Sequence, residues 1–171
     1  MTLLVIDMQQ SFIFRHEQFP RYGQTIDAVK EEIIAAKKRE DFIVFVEFCT
    51  ESRRKEKFNK YPSRIAPTLG ELTNLTINYF NKIFVYKKSC DGGAEVLSAL
   101  KHYQIPKKNI RVCGVYTNAC VRETVKTIAD NLSGSTLSVI GNAVTSSGGD
   151  DWQHDNGIHL LKKMNDNVVV V

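Results

Sequence analysis

Cys120 stands at a turn between a predicted buried strand and a predicted helix. The strand, residues 109–113, ends at Gly114. After Cys120, apolar residues recur at helical spacing, at Val121, Val125, Ile128 and Leu132. A helix start offers unpaired backbone N–H groups and the positive end of the helix dipole, which lower the pKa of a thiol and can bind an oxyanion. Cys120 is therefore a candidate nucleophile. A buried structural cysteine is the alternative, because free cysteine is among the most buried residue types.

Asp7 and Lys87 also stand at the ends of predicted strands. Asp7 follows the apolar residues 3–6, and Lys87 follows residues 83–86. In a parallel α/β sheet, active sites form outside the carboxyl ends of the strands, so these side chains and Cys120 would meet at one edge. Separately, Asp7 could cap a turn, and the lysine could point to solvent. Together, a base, a cation and a thiol form an activated nucleophile, in which the base takes the thiol proton.

The elements that position these residues alternate along the chain. Predicted strands cover residues 3–6, 42–48, 83–86, 109–113, 136–140 and 168–171. Predicted helices cover residues 96–103, 121–132 and 155–164, and another helix begins near Thr25 or Asp27. Residues 42–48 are apolar at nearly every position, as in a strand that is covered on both faces. We therefore predict a three-layer α/β/α fold with a doubly wound, six-stranded, mainly parallel sheet.

Composition indicates one globular domain over residues 1–171. The chain is 43% hydrophobic and has a formal net charge of +4, with lysine and arginine mixed among glutamates. The densest basic cluster, which includes Arg53, Arg54 and Arg64, is interpreted as a solvated loop, so we predict no nucleic-acid partner. No apolar run approaches the roughly 20 residues that span a bilayer, so no membrane contact is expected. Four cysteines without a CxxC pair, and a first apolar segment typical of a core strand rather than a signal peptide, predict a cytoplasmic protein.

Three segments carry a resemblance to a known family. They are residues 4–9 with Phe12, the strand-end Lys87, and residues 114–117 followed by Cys120 and Val121. In combination these segments resemble the isochorismatase-like cysteine hydrolases, a superfamily that includes nicotinamidases and other small amidases. Residues 141–143 with His154 are similar to the closing segment of the family, although Asn142 stands where an aspartate is usual. The resemblance spans nearly the whole chain.

The resemblance implies a catalytic triad of Asp7, Lys87 and Cys120. It also implies a cis peptide bond between Val115 and Tyr116, which would direct the backbone N–H groups of Tyr116 and Cys120 at one oxyanion. The register of the strand favours Lys87 over Lys88 as the catalytic lysine. The loop after it, residues 88–93, lacks the aromatic residue that is usual in the family.

Nicotinamidases carry a metal site built from an Asp-x-His pair after the second strand and from further histidines downstream. Here Glu47 and Cys49 take the place of that pair, and Arg64 stands near the position of a downstream histidine. A zinc site needs three or four ligands, and no histidine lies between His16 and His102. We therefore predict no metal and no other cofactor.

The substrate pocket is predicted from residues that follow the strand ends. Aromatic residues on such loops often close over small planar ligands. The candidates are Gln9, Phe12, Phe14, Thr117 and Trp152. Arg53, Arg54 or Arg64 could bind the carboxylate of an acidic substrate such as isochorismate.

We expect a hydrolase that cleaves a small amide or related C–N bond through a thioester on Cys120, with Asp7 as the base and Lys87 stabilising charge. Two alternatives stay open at this point. One is hydrolysis of a vinyl ether, as in isochorismatases, and the other is a non-catalytic binding or regulatory module on the same fold. The resemblance also implies a homo-oligomer, a dimer or a tetramer. The expected binding partner is a small-molecule substrate.

Overall fold

Strands and helices alternate along the chain, which is described here by a computed structural model covering residues 1–15, 18–49, 67–149 and 151–171. The strands are β1 (Thr2–Ile6), β2 (Phe42–Phe48), β3 (Lys82–Lys87), β4 (Asn109–Val115), β5 (Thr136–Thr145) and β6 (Val168–Val170). The helices are α1 (Gln10–Ile13), α2 (Pro20–Lys38), α3 (Gly70–Asn74), α4 (Gly93–His102), α5 (Cys120–Asn131) and α6 (Asp151–Lys162). Within these ranges, no helix is long and apolar enough to cross a membrane.

The six strands form one sheet in the order β3-β2-β1-β4-β5-β6, and every neighbouring pair is parallel. β1 lies near the centre, with Ile6 opposite Val46 of β2 and Gly114 of β4. Because the strands are parallel, their carboxyl ends share one edge of the sheet. This arrangement confirms the predicted fold class.

Helices cover both faces of the sheet. On one face, the side chains of Leu3 and Val5 pack in a core that includes residues of α1, α2 and α3. On the other face, Leu4 and Ile6 pack in a core that includes residues of α4, α5 and α6. β1 is buried at every position, which explains why its sequence is apolar without alternation. The result is the doubly wound, three-layer architecture that the sequence predicts.

Helix α2 begins at Pro20, so the prediction of a start near Thr25 or Asp27 was wrong. Proline is favourable in the first turn of a helix, because its φ is already helical and its missing N–H group has no helical acceptor there. The first turn is held by Tyr22, whose buried hydroxyl donates to the carbonyl oxygen of Ser146 at 2.7 Å. The prediction used only the spacing of aliphatic residues, so it did not include the buried aromatic residue Tyr22.

Other boundaries also differ from the prediction, and the largest of these differences are in β5 and α6. β5 continues past residue 140 to Thr145, because the N–H of Gly141 donates to the carbonyl oxygen of Val171 at 2.7 Å and the strand goes on pairing. Its pairing with β4 resumes after a register shift between Val112 and Gly114. Helix α6 begins at Asp151 rather than at residue 155, so the segment that holds Trp152 is helical.

Candidate active site

The carboxyl ends of β1 and β3 bring Asp7 and Lys87 together. Asp7 is the first residue after β1, and Lys87 is the last residue of β3. The Nζ atom of Lys87 lies 2.8 Å from Oδ2 of Asp7, and the two side chains are 0% and 1% exposed, respectively. Lys88 is exposed. Of the two adjacent lysines, the structure therefore places Lys87 beside the carboxylate.

The backbone conformation of Asp7 turns its side chain toward the lysine. Side chains alternate between the two faces of a strand, and Ile6 packs on the face that α4 and α5 cover, so a regular strand would send Asp7 to the opposite face. Asp7 instead has a φ of 51°, in the left-handed region that aspartate tolerates better than most residues. Val85 packs on the same face as Ile6, and Lys87 follows it by two residues on that face. The departure from strand geometry thus forms the ion pair.

The loop after β3 holds Lys87 in place. The Nζ of Lys87 donates to the carbonyl oxygens of Ser89 and Cys90, at 3.1 and 2.9 Å. A Cβ atom at Gly92 would lie 2.6 Å from Cδ of Lys87, so a larger residue there would displace the lysine side chain. Two of the three N–H groups of the ammonium are thus engaged by the backbone. One is left for Asp7 or for charge that develops on a substrate.

Cys120 is the first residue of α5, and it is half-buried. Its thiol interacts with the Asp7 carboxylate strongly enough to affect the pKa values of both groups. The Nζ of Lys87 and the Cys120 thiol both interact with the Asp7 carboxylate, and each of them acts to lower its pKa. Asp7 is therefore in position to receive the thiol proton.

The protonation states at the site are set by burial and by mutual charge. Burial raises the pKa of Asp7, and the positive charge of Lys87 offsets this only in part. Burial also raises the pKa of the Cys120 thiol, and the neighbouring Asp7 carboxylate adds to that rise. Burial lowers the pKa of Lys87, but Asp7 and Cys120 outweigh it, so the pKa is raised and the lysine stays charged.

The direction of the Cys120 shift contradicts the expectation that the helix start lowers the pKa of this thiol. Desolvation and a carboxylate in contact with the thiol both disfavour the thiolate, and together they outweigh the helix start. Cys120 is therefore a thiol at rest. Its activation requires a base, and Asp7 is in position to act as one.

The turn before α5 has the geometry that the resemblance implies. The peptide bond between Val115 and Tyr116 is cis. Just before it, Gly114 has a φ of 120°, and a Cβ atom there would lie 2.0 Å from the carbonyl oxygen of Ile6. Only glycine fits a position with this conformation and this close approach to β1. Gly114 thus allows the turn to pass close against the end of β1.

Backbone hydrogen bonds fix the residues around the cysteine. The N–H groups of Ala119 and Val121 both donate to the carbonyl oxygen of Tyr116, at 3.0 and 3.1 Å. The N–H group of Cys120 lies between them, and as the first residue of a helix it has no intrahelical acceptor. It is therefore suited to bind a developing oxyanion. The same role for the N–H of Tyr116 remains an implication of the resemblance.

Aromatic rings lie around the ion pair. The ring of Phe12 packs edge-on against those of Phe48 and Tyr116, with centroids 6.2 and 5.9 Å apart. The Tyr116 hydroxyl donates to the carbonyl oxygen of Phe12 at 3.0 Å, and burial raises the pKa of Tyr116 to about 12. The Nζ of Lys87 lies 5.4 Å from the centroid of the Phe48 ring. Sequence analysis missed Phe48 as a site residue, although its place at the end of β2 was a usable signal.

The other predicted pocket residues differ in their contacts and exposure. The Gln9 side chain exchanges two hydrogen bonds with the backbone of Phe48, at 2.7 and 3.3 Å. The buried Thr117 hydroxyl lies 3.3 Å from Nδ1 of His154. Phe14 is 51% exposed and Trp152 is 74% exposed. Gln9 and Thr117 thus support the surrounding backbone, whereas the rings of Phe14 and Trp152 lie largely in solvent.

Glu47, which stands where nicotinamidases have a metal-binding aspartate, is engaged elsewhere. Its Oε1 accepts hydrogen bonds from the backbone N–H and the hydroxyl of Thr68, both at 2.8 Å. Among the described residues, no three His, Cys, Asp or Glu side chains group to hold a metal ion. The described residues around Glu47 therefore supply no ligand set for a metal like that of nicotinamidases. Arg53, Arg54 and Arg64 lie outside the described residues, so their predicted role stays a prediction.

Cys90 is a second thiol at the site, which sequence analysis did not identify. Its Sγ lies 3.6 Å from Sγ of Cys120, and Cys90 is exposed. The loop that carries it is tied to α5, because Asp91 accepts a hydrogen bond from the Thr127 hydroxyl at 2.7 Å and the Gly92 N–H donates to the Thr124 hydroxyl at 3.0 Å. The sequence contained a usable signal, because Cys90 lies in the loop that lacks the aromatic residue usual in the family.

Solved structures with the same fold extend the comparison. The nicotinamidase from Staphylococcus aureus is 20% identical with a TM-score of 0.75, over 99% of this chain and 95% of its own. The nicotinamidase from Bacillus subtilis is 18% identical with a TM-score of 0.76, over 99% and 98%. An isochorismatase-like hydrolase from Alkaliphilus metalliredigens is 19% identical with a TM-score of 0.74, over 98% and 93%. At these identities, the likeness shows a shared fold.

Among curated protein sequences, none matches this chain. The model of the Isochorismatase domain, in contrast, matches residues 1–170, which is nearly the entire chain. With the strand-end carboxylate, lysine and cysteine on the fold of these hydrolases, the chain belongs to the isochorismatase-like hydrolase family.

Proposed function

We propose that this protein hydrolyses a small amide or related C–N bond through a thioester on Cys120. The observation that carries the proposal is the buried contact of 2.8 Å between Lys87 and Asp7, with the Cys120 thiol interacting with the same carboxylate. This set supplies a base, a cation and a nucleophile at one point.

The reaction begins with a proton transfer from the Cys120 thiol to Asp7. The thiolate then attacks the carbonyl carbon of the substrate, and negative charge develops on the carbonyl oxygen. The backbone N–H groups of Cys120 and Tyr116 donate to that oxygen, and the positive charge of Lys87 lowers the energy of the anion.

Collapse of the tetrahedral intermediate breaks the C–N bond. Asp7 returns its proton to the departing amine or ammonia, which leaves the acyl group on the sulfur of Cys120. Asp7 then takes a proton from water, whose oxygen attacks the thioester carbon. Release of the acid and return of the proton to sulfur restore the Cys120 thiol. Every proton in this cycle passes through Asp7, and no cofactor is used.

An uncharged, flat substrate suits the described part of the site. The charge of Lys87 is balanced by Asp7, so the pair presents no net charge to a ligand. The rings of Phe12, Phe48 and Tyr116 supply apolar and edge-on contacts. We propose that the natural substrate is a small amide with a planar group, and that a homo-oligomer in the cytoplasm acts on it.

The test compares wild type with Cys120→Ala on a panel of small amides that includes nicotinamide, with isochorismate beside them. We expect ammonia release from an amide by wild type, and a loss of about 10³-fold or more in Cys120→Ala, because the nucleophile is gone. Cys49→Ala is the matched control, since it also removes a half-buried thiol. Undiminished ammonia release by Cys120→Ala would end the proposal.

The same panel decides between the alternatives. Pyruvate release from isochorismate that persists in Cys120→Ala would point to vinyl-ether hydrolysis, which relies less on a nucleophilic thiol. Binding of a panel compound without any turnover would point to a module that has kept the fold and lost the chemistry.

A further inference from the structure

Cys90 and Cys120 form a pair of thiols with unequal access to solvent. Their sulfur atoms are 3.6 Å apart, Cys90 is exposed, and Cys120 is half-buried. Cys90 lies in the loop between β3 and α4, and Cys120 opens α5. A reagent in solution therefore meets the Cys90 thiol first, and the Cys120 thiol lies directly behind it.

The two sulfur atoms lie close to each other without being bonded. A disulfide bond is about 2.05 Å long, so the two sulfurs need to approach by about 1.5 Å. Cys90 lies outside the helices and strands, in a loop whose two ends are held by Lys87 and by the Asp91 contact with Thr127. Rotation of its side chain can supply the movement while those anchors stay in place. A third thiol, Cys113, is fully buried in the core and contacts the carbonyl oxygen of Leu4 at 3.4 Å, so it does not compete.

We propose that Cys90 is a resolving thiol, which forms a reversible disulfide with Cys120 when the protein meets a low-molecular-weight disulfide. In the first step, the Cys90 thiolate attacks one sulfur of the reagent, which forms a mixed disulfide and releases one small thiolate. In the second step, Asp7 takes the proton of Cys120, and its thiolate attacks the Cys90 sulfur and expels the second small thiolate. The two small thiolates take up the two protons. The two protein thiols are oxidised, and the reagent is reduced to two small thiols.

The effect of the disulfide on the reaction rests on the proposed function. A sulfur bonded to Cys90 cannot attack a carbonyl carbon, so oxidation switches hydrolysis off until a thiol reductant restores it. The bond also shields Cys120 from the irreversible steps of cysteine oxidation, because a disulfide is not carried on to the sulfinic and sulfonic acids as a free thiolate is. The pair would thus act as an oxidation site that preserves the nucleophile.

The test uses the intact protein in mixtures of reduced and oxidised glutathione, quenched by alkylation. We expect wild type to lose two of its four thiols, to carry no bound glutathione at equilibrium, and to yield a crosslinked peptide pair containing Cys90 and Cys120. Amide hydrolysis should fall in step with the crosslink and return with dithiothreitol. Stable glutathione on Cys90 with Cys120 still alkylatable would overturn the proposal, as would a crosslink between other cysteines.

Two variants sharpen the result. Cys90→Ser should yield no crosslink and lose at most one thiol at the site, as glutathione bound to Cys120. Cys49→Ser should keep the crosslink between Cys90 and Cys120, which shows that the loss is specific to the pair. A crosslink-free wild type that hydrolyses amides would refute the resolving role alone. A crosslinked wild type with no activity on any amide would refute the proposed function alone.

Discussion

Asp7 and Glu47 are two buried carboxylates at the ends of neighbouring strands, yet their surroundings differ. They follow the paired residues Ile6 and Val46, and their side chains are 1% and 6% exposed. Glu47 keeps the alternation of its strand: it shares a face with Phe45 and meets Thr68, which donates two hydrogen bonds to one oxygen. Asp7 breaks the alternation through its positive φ, and so reaches the opposite face.

Burial alone does not make a carboxylate into a base. Glu47 is held by neutral donors, and its work is to fasten the end of β2 to the segment that leads into α3. Asp7 is balanced by the charge of Lys87, and the Cys120 thiol interacts with it. Of the two, Asp7 is the carboxylate that lies beside a proton donor, as the proposed base must.

The largest expected effect comes from Asp7→Asn. The amide cannot take the Cys120 proton, so kcat/KM for the identified amide should fall by about 10³-fold. The same change removes the counter-charge of the buried Lys87 ammonium, but it also removes a carboxylate whose charged form burial disfavours, so the free energy of unfolding at neutral pH should fall by less than the about 3–5 kcal/mol typical of a broken buried ion pair. Steady-state kinetics and urea unfolding measure the two effects. Activity within tenfold of wild type would mean that another group is the base.

The pairing of Asp7 with Lys87 can be separated from catalysis by a second change. Lys87→Met alone should also destabilise the fold, because it strands a buried carboxylate. In the double variant, Asp7→Asn with Lys87→Met, no buried charge is left, so its unfolding free energy should exceed that of either single variant. Its activity should stay as low as that of Asp7→Asn. Strictly additive losses of stability would show that the two residues are not coupled as the 2.8 Å contact indicates.

The acid side of the pH profile should report Asp7. Burial raises the pKa of this carboxyl, so kcat/KM should begin to fall at a pH above the ordinary aspartate value of about 3.9. On the alkaline side, the raised pKa of Lys87 keeps the cation in place. An acid limb at or below the ordinary carboxyl range would contradict the assignment of Asp7 as the base.

Protonation of Asp7 should raise the free energy of unfolding over the same pH range in which it lowers kcat/KM. Because the folded protein holds a proton on Asp7 more tightly than the unfolded chain does, the contribution of Asp7 to stability is complete below about pH 3.9. It is lost as the pH rises through the folded pKa. Comparing urea unfolding of wild type and Asp7→Asn across this window isolates the effect from the other carboxyl groups.

The sequence predicts that Asp7, Lys87 and Cys120 lie at one edge of the sheet, because the ends of its strands can be recognised from the sequence. Apolar runs end before Asp7 and Lys87, and parallel strands bring such ends to one edge, so the register alone places the two residues. The turn at Gly114 and the helical spacing after Cys120 add the third. None of these steps requires knowledge of how a loop folds.

What the sequence did not predict depends on tertiary contacts. The raised pKa of Cys120 follows from its burial against Asp7, which no local pattern reports. The contact between Cys90 and Cys120 depends on how the loop after β3 is tied to α5. The early start of α2 depends on a hydroxyl of Tyr22 that finds its acceptor far along the chain. Each miss has the same cause, since a long-range partner decides the outcome.

The smallest expected effect comes from Glu47→Gln, the matched partner of Asp7→Asn. Glutamine keeps a side-chain oxygen that can accept both hydrogen bonds from Thr68, so the free energy of unfolding should fall by only about 0.5–1.5 kcal/mol. At neutral pH, kcat/KM should match wild type. The charge of Glu47 is the least of the influences on the pKa of Asp7, and it acts to raise it, so its removal should move the acid limb slightly to lower pH. If Glu47→Gln instead abolished hydrolysis as Asp7→Asn does, the two carboxylates would form one catalytic unit, and the division between a structural and a reactive carboxylate would be wrong.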